Sequence, residues 1–218
     1  MAILPREFYA RPTLEVARDL IGKRLVHDAG GARTSGLIVE SEAYIGEDDP
    51  ACHAAPGPTP RNAPLYGPPG FAYVYFNYGM HYLVNAVTSE EGHPAAVLIR
   101  ALEPVEGLDL MRARRTRHAP ARKTAIRDAD LCRGPGNLTR ALGIDLRQNR
   151  CDLTRPPLWV EDTGETRGPL AWGPRLGIRV GLDRPWRVYV QGHPSVSVTA
   201  GRAAARPPGA PRRPRDAR

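Results

Sequence analysis

Leu14, Ala17, Leu20 and Ile21 recur at helical spacing after Pro12-Thr13, and Gly22 follows them. That pattern predicts an amphipathic helix closed by a glycine. The period then shortens. Lys23–His27 and Arg33–Glu40 read as two strands around the turn Ala29-Gly30-Gly31. Residues 46–70, GEDDPACHAAPGPTPRNAPLYGPPG, keep neither period and predict a long loop. A loop of this length inside a compact domain is usually functional or disordered. Residues 71–82, FAYVYFNYGMHY, predict a strand pair bent at Tyr78-Gly79. Ala96–Arg100 is an apolar strand, and Glu103–Arg115 reads as a helix with Pro104 in its first turn. Asp128–Arg133 predicts a short helix, and Gly134-Pro135-Gly136-Asn137 opens another that ends at Gly143. Short strands are expected near Leu158–Glu161, Arg175–Val180, Arg187–Val190 and Ser195–Val198. Strands and helices mix without regular βαβ alternation or internal repeat, so the expected class is α+β. Residues 1–200 are expected to form one domain, and 201–218 a basic, Pro/Arg-rich disordered tail without hydrophobes to fold.

Charge sharpens this picture only slightly. The chain has 218 residues, enough for one sizeable core, and a formal net charge of +8. Such a balance points to an anionic partner, nucleic acid first. However, the tail holds six Arg and one Asp, which is +5 of the +8 and leaves +3 for the body. Three cysteines, widely spaced, suggest neither a disulfide framework nor a zinc site. The start MAILPREFYA lacks a signal-peptide pattern. The longest run without Asp, Glu, Lys or Arg, Asn62–Ser89, is broken by prolines and glycines. No membrane span is expected, and the location expected is cytoplasmic.

Candidate chemistry lies in four places. The stretch IVESEAY, Ile38–Tyr44, delivers Glu40 and Glu42 at alternate positions, so both point to one side of a continuing strand. Either could act as a general base for water. Arg100, carried on the apolar run Ala95–Ile99, is the cation that could orient such a site, or simply a structural ion-pair partner. The turn Gly134-Pro135-Gly136, beside Arg133, offers free backbone N–H groups at a helix start, a natural phosphate site. The aromatic window holds six of the fourteen aromatic residues. Regular pleating places Phe71, Tyr73, Tyr75 and Asn77 on one face and Ala72, Val74, Phe76 and Tyr78 on the other. Most of these suit a core strand. Tyr78, beside Gly79 at a hairpin tip, suits insertion into a base stack instead.

Taken together, the motifs resemble the alkyladenine (3-methyladenine) DNA glycosylases of the mammalian type, and not the helix-hairpin-helix glycosylases. The matching pieces are Val39-Glu40-Ser41-Glu42-Ala43-Tyr44, His53, Thr59-Pro60-Arg61-Asn62, Tyr73-Val74-Tyr75 through Tyr78-Gly79-Met80, Asn85, Leu98–Pro104, Gly134-Pro135 and Arg187–Val198. They occur in family order over roughly Phe8 to Val198. The resemblance implies a single domain on a curved antiparallel sheet with a protruding β-hairpin that enters the DNA minor groove. It implies a monofunctional, monomeric N-glycosylase of base excision repair, without metal or cofactor, acting in the bacterial cytoplasm on nucleoid DNA. Its partner would be double-stranded DNA containing alkylated or deaminated purines of the 3-methyladenine, 7-methylguanine, hypoxanthine and ethenoadenine class. By position, Glu42 is the general base and Arg100 helps hold the water, with a backbone carbonyl near Val196. Tyr44 and Tyr75 stack on the flipped base, His53 closes the pocket, and Asn85 rejects guanine. Tyr78 fills the vacated stack, while Arg61, Asn62, Arg133, Gly134, Gly136 and Asn137 hold the DNA backbone. Asn137 stands where many relatives have Lys. A non-catalytic damaged-DNA binding module would need neither Glu42 nor Arg100. A sugar or nucleoside hydrolase using Glu40 with Glu42 would need no tip aromatic.

Overall fold

The computed structural model describes residues 1–77, 79–117, 125–165 and 168–197. Tyr78, Val198 and the tail 201–218 lie outside the described residues. The chain begins with β1 (Ala2–Ile3), α1 (Arg6–Tyr9) and α2 (Thr13–Asp19), then the hairpin β2 (Arg24–Ala29) and β3 (Ala32–Ile45). After the long loop come β4 (Ala72–Asn77), β5 (His81–Val87), β6 (Ala95–Glu106), α3 (Leu108–Thr116), α4 (Asp128–Leu131) and α5 (Pro135–Leu142). The strands β7 (Leu158–Asp162), β8 (Leu170–Gly173) and β9 (Arg187–Val190) complete the described strands and α-helices.

All described pairings are antiparallel, in one sheet ordered β1-β7-β2-β3-β6-β5-β4, with β9 pairing both β3 and β8. The fold is therefore α+β, on an open sheet. β3 organises it. Its first half pairs β2 as far as Leu37, and β9 takes over that edge opposite Glu40–Glu42. β6 lies along its other edge throughout. The main core sits between the sheet and the helices, where Val16, Leu20, Met111, Leu138 and Leu142 meet Ile38, Val84 and Ile99. A smaller cluster, Cys52, Ala54, Leu65, Tyr73, Val87 and Ala96, lies under the long loop. That loop is stapled from within by Asn62. Its Nδ2 donates to the carbonyls of His53 (2.7 Å) and Gly57 (2.9 Å), and its Oδ1 accepts from the Thr59 N–H (2.6 Å).

Three expected elements differ. Residues 103–106 continue β6, because their backbone pairs with Ser35–Leu37, and the helix starts only after Gly107 at φ 78°. Arg175–Val180 is not a strand; β8 at Leu170–Gly173 takes the place beside β9, and residues 174–181 are irregular, with 176–180 lining the cavity described below. Ser195–Ser197 is a turn, its backbone held by the Val196 N–H to His193 carbonyl bond (3.1 Å). Among the described residues no helix is long and apolar enough to cross a membrane.

Candidate active site

Two irregularities in the β3–β6 ladder build the site. Ile38 pairs with Leu102, Glu40 with Ala101 and Ser41 with Ile99, so Val39 and Arg100 each fall outside the register. Such bulges re-aim side chains. Here they bring Arg100 against Glu40 and Glu42, both fully buried. Arg100 Nε donates to Glu40 Oε1 at 3.2 Å and its NH1 to Glu42 Oε2 at 3.1 Å. Burial by itself would lower the Arg100 pKa; the Glu42 and Glu40 charges outweigh it and raise the pKa above the ordinary value. The guanidinium is therefore a permanent cation.

The two carboxylates differ in what else they hold. Glu40 also accepts from Arg187 Nε (2.6 Å), the Ser197 N–H (2.7 Å) and Ser197 Oγ (2.8 Å), all protein groups that tie β9 and the C-terminal turn to β3. Glu42 also accepts from Tyr44 Oη (2.9 Å) and the Leu176 N–H (2.7 Å). Burial first, then the Glu42 charge, push the Tyr44 phenol well above its ordinary pKa, so it stays a neutral donor. A carboxylate has about four acceptor positions, so Glu42 keeps one beyond its three donors.

Beside this pair lies a cavity of about 570 Å³, lined by Tyr44, His53, Tyr75, Asn85 and Arg100 among others. That size suits a small planar ligand. Tyr75 packs edge-on to His53, with ring centroids 4.4 Å apart. His53 Nδ1 is 2.8 Å from Tyr73 Oη. Burial first, then Arg61, hold the His53 pKa below its usual value, so at neutral pH the ring is neutral and can donate or accept. Asn85 Nδ2 donates to the Tyr73 carbonyl across the β4–β5 pair (2.9 Å), which fixes the amide at the cavity wall.

The expected backbone-contact residues are spread differently. Arg61 is exposed, lies 5.7 Å from the Tyr75 ring centroid, and donates to the Phe76 carbonyl. The Asn62 side chain is spent inside the loop, as above. Arg133 Nε donates to the Val196 carbonyl at 3.0 Å and its NH1 to Asp130, so that carbonyl is engaged by protein. Asn137 Nδ2 donates back to the Arg133 carbonyl. Gly134 caps α5 at φ 92°, leaving first-turn N–H groups without helical partners. Gly136 has a packing reason of its own: a Cβ there would lie 2.7 Å from His81 Cγ. Gly136→Ala is therefore expected to destabilise the contact between α5 and the hairpin by about 1–3 kcal/mol, read as a drop in melting temperature.

Other groups at the site were given no role by the sequence. Tyr73 lies in the aromatic window beside Tyr75, and Arg187 and Ser197 lie in a matched stretch, but their partners, like that of the Leu176 N–H, are set by long-range packing. Beside the hairpin, a second cavity of about 360 Å³ is edged by Arg114, Arg117, Arg140 and Arg147, a basic face assembled from α3, α5 and the turn after it. Among the described residues no group of three His, Cys, Asp or Glu is placed to hold a metal ion.

Comparison with known proteins points to the same family as the resemblance. A relative from Burkholderia lata, provisionally named a 3-methyladenine DNA glycosylase, is 49% identical over 199 residues, covering 90% of this chain and 91% of its own. One of the same name from Methanocella arvoryzae is 48% identical over 204 residues, covering 92% and 98%. A third from Clostridium acetobutylicum is 44% identical over 199 residues, covering 89% and 97%. The family model described as methylpurine-DNA glycosylase (MPG) matches residues 7–194, a span that takes in both bulged strands, the cavity and the hairpin. The chain therefore belongs to the methylpurine-DNA glycosylase family.

Proposed function

We propose that the protein is a monofunctional DNA N-glycosylase that takes an alkylated or deaminated purine out of the duplex and hydrolyses its glycosidic bond. The observation that carries this reading is the buried Glu42–Arg100 pair beside an aromatic-lined cavity with room for a nucleobase. Water attacks C1′ of the flipped nucleotide, and Glu42 takes its proton through the remaining acceptor position. The bond from C1′ to the purine nitrogen breaks with its electron pair going to the purine. The base leaves neutral where alkylation has made it a cation, and otherwise takes up the proton that Glu42 received from water; an abasic sugar remains. An alkylated purine is already a good leaving group, so the second carboxylate of ordinary glycosidases is not required. Tyr44 and Tyr75 offer π-faces to the base, which favour a cationic ring. Asn85, with its amide held by Tyr73, crowds the 2-amino group of guanine.

Flipping costs a few kcal/mol of unstacking, least at a damaged pair. Tyr78 recovers part of that by occupying the gap. Its described neighbours Phe76 and Met80 are 45% and 64% exposed, so the hairpin end already presents apolar side chains to solvent. Phosphates are held by Arg61, by the first turn of α5 and by the basic face beside the hairpin. The test is incubation with duplexes carrying 3-methyladenine, 7-methylguanine, hypoxanthine or ethenoadenine. Free base and alkali-labile sites are expected; binding without either product would instead indicate a non-catalytic module. In the same assay Tyr78→Ser is expected to slow single-turnover excision in duplex while leaving the melting temperature nearly unchanged. A large fall in melting temperature, with excision following only in proportion, would make Tyr78 a core residue.

A further inference from the structure

We propose that the ion pair Arg175–Asp49 is a positioning clamp for Glu42: it holds residues 174–181 against the long loop so that the Leu176 N–H stays on the catalytic carboxylate. This rests on the function proposed above.

The pair is fully buried and bidentate, Arg175 NH1 to Asp49 Oδ2 at 2.5 Å and NH2 to Asp49 Oδ1 at 2.7 Å. Burial works against the Asp49 charge, and the Arg175 guanidinium more than offsets it, holding the carboxyl below its usual pKa. Each partner stands beside a different wall of the cavity. Asp49 precedes the lining residues 50–53, and Arg175 precedes the lining residues 176–180. The guanidinium also ties down the strand carrying the site. Its NH1 donates to the Ala43 carbonyl at 3.1 Å, between Glu42 and Tyr44, and its carbon lies 4.6 Å from the Tyr44 ring centroid. Arg175 itself does not line the cavity, so it acts from behind Tyr44.

Both ends of the segment 175–181 meet at the pair. Arg175 starts it, and Gly181, at φ 65°, ends it so close that a Cβ would lie 2.9 Å from Arg175 NH2. With its ends held there, the segment presents the Leu176 N–H to Glu42 Oε1 at 2.7 Å, the only described donor to that oxygen. Stability alone explains the arrangement poorly. Buried ion pairs are often no more stabilising than apolar residues of the same volume, and this one leaves the Arg175 Nε buried without a hydrogen-bond partner. What an arginine offers here, and a lysine does not, is a flat fork that grips a carboxylate and a carbonyl while lying on a ring.

The test is single-turnover excision at saturating enzyme, well below each variant's melting temperature, for Arg175→Lys, Asp49→Asn, Glu42→Gln and the double variants of the first two with Glu42→Gln. Asp49→Asn keeps a carbonyl acceptor for the clamp and serves if Arg175→Lys does not fold. Misplacing a catalytic group by about an ångström can cost on the order of 100-fold, so Arg175→Lys is expected to lose about tenfold or more. Affinity for undamaged duplex should be unchanged. In the Glu42→Gln background the same substitutions should cost almost nothing further, because the group they position is gone. A rate at or above that of the unsubstituted protein, or losses that multiply with Glu42→Gln, would overturn the clamp. Failure of the proposed function itself looks different: the unsubstituted protein would release no base.

Discussion

Glu42→Gln is expected to lower single-turnover base release by about 100-fold or more, the usual scale for removing a positioned general base. Affinity for a damaged duplex should change little, and melting temperature should fall less than in Glu40→Gln. The local geometry explains why this substitution is the milder one for the fold. At Oε2 the carboxylate meets Tyr44 Oη and Arg100 NH1. An amide nitrogen placed there lets the Tyr44 hydroxyl turn round and accept, since a hydroxyl does both. Arg100 loses one partner but keeps Glu40 and Ser197. The carbonyl oxygen of the Gln still accepts from Leu176. What the amide cannot do is take a proton from water. The measurement pairs a single-turnover time course with a thermal melt; loss of rate only in proportion to loss of folded protein would remove Glu42 from the chemistry.

Much of this architecture was legible because its signals are local. The helix at Thr13–Asp19, the β2–β3 hairpin and α5 each follow from a hydrophobic period bounded by glycine or proline. The Ile38–Tyr44 stretch announced two carboxylates on one face by alternation alone. What could not be read is decided by partners far along the chain. Glu103–Glu106 carries a proline and acidic residues that suit a helix's first turn, yet its backbone has β3 to pair with, and pairing wins. Arg175–Val180 alternates like a strand, but Arg175 is drawn to Asp49, 126 positions away. In a chain with 29 arginines and two lysines, that arginine has no distinguishing mark. The same holds for Ser197, which reaches Glu40 across 157 positions from a stretch that reads as a strand. Alternation also makes Glu40 and Glu42 look equivalent. Only the count of protein donors around each tells them apart.

That count gives the second large effect. Glu40→Gln is expected to cost about 3–5 kcal/mol of stability, as for other broken buried ion pairs. For a domain of this size that is roughly 6–20 °C in melting temperature. Oε1 of Glu40 receives Arg100 Nε, Arg187 Nε and Ser197 Oγ, and Oε2 receives the Ser197 N–H. Of these, only the serine hydroxyl can reverse. An amide nitrogen at Oε1 would face two guanidinium groups, and at Oε2 a backbone N–H. Either way donor meets donor. The two buried cations would also be left with Glu42 as their one nearby carboxylate, so the loss is electrostatic as well as geometric. β9 and the turn at Ser195–Ser197 should loosen from β3 first, because the side-chain ties that reinforce the β3–β9 ladder and hold the turn run through this carboxylate. Hydrogen exchange should therefore show residues 187–197 deprotected in Glu40→Gln and protected in Glu42→Gln. At a temperature where Glu40→Gln remains folded, its excision rate should exceed that of Glu42→Gln by at least tenfold, because Arg100 keeps its bond to Glu42, the proposed general base. The reverse order, with Glu40→Gln stable and inactive, would make Glu40 the proton acceptor and Glu42 its support.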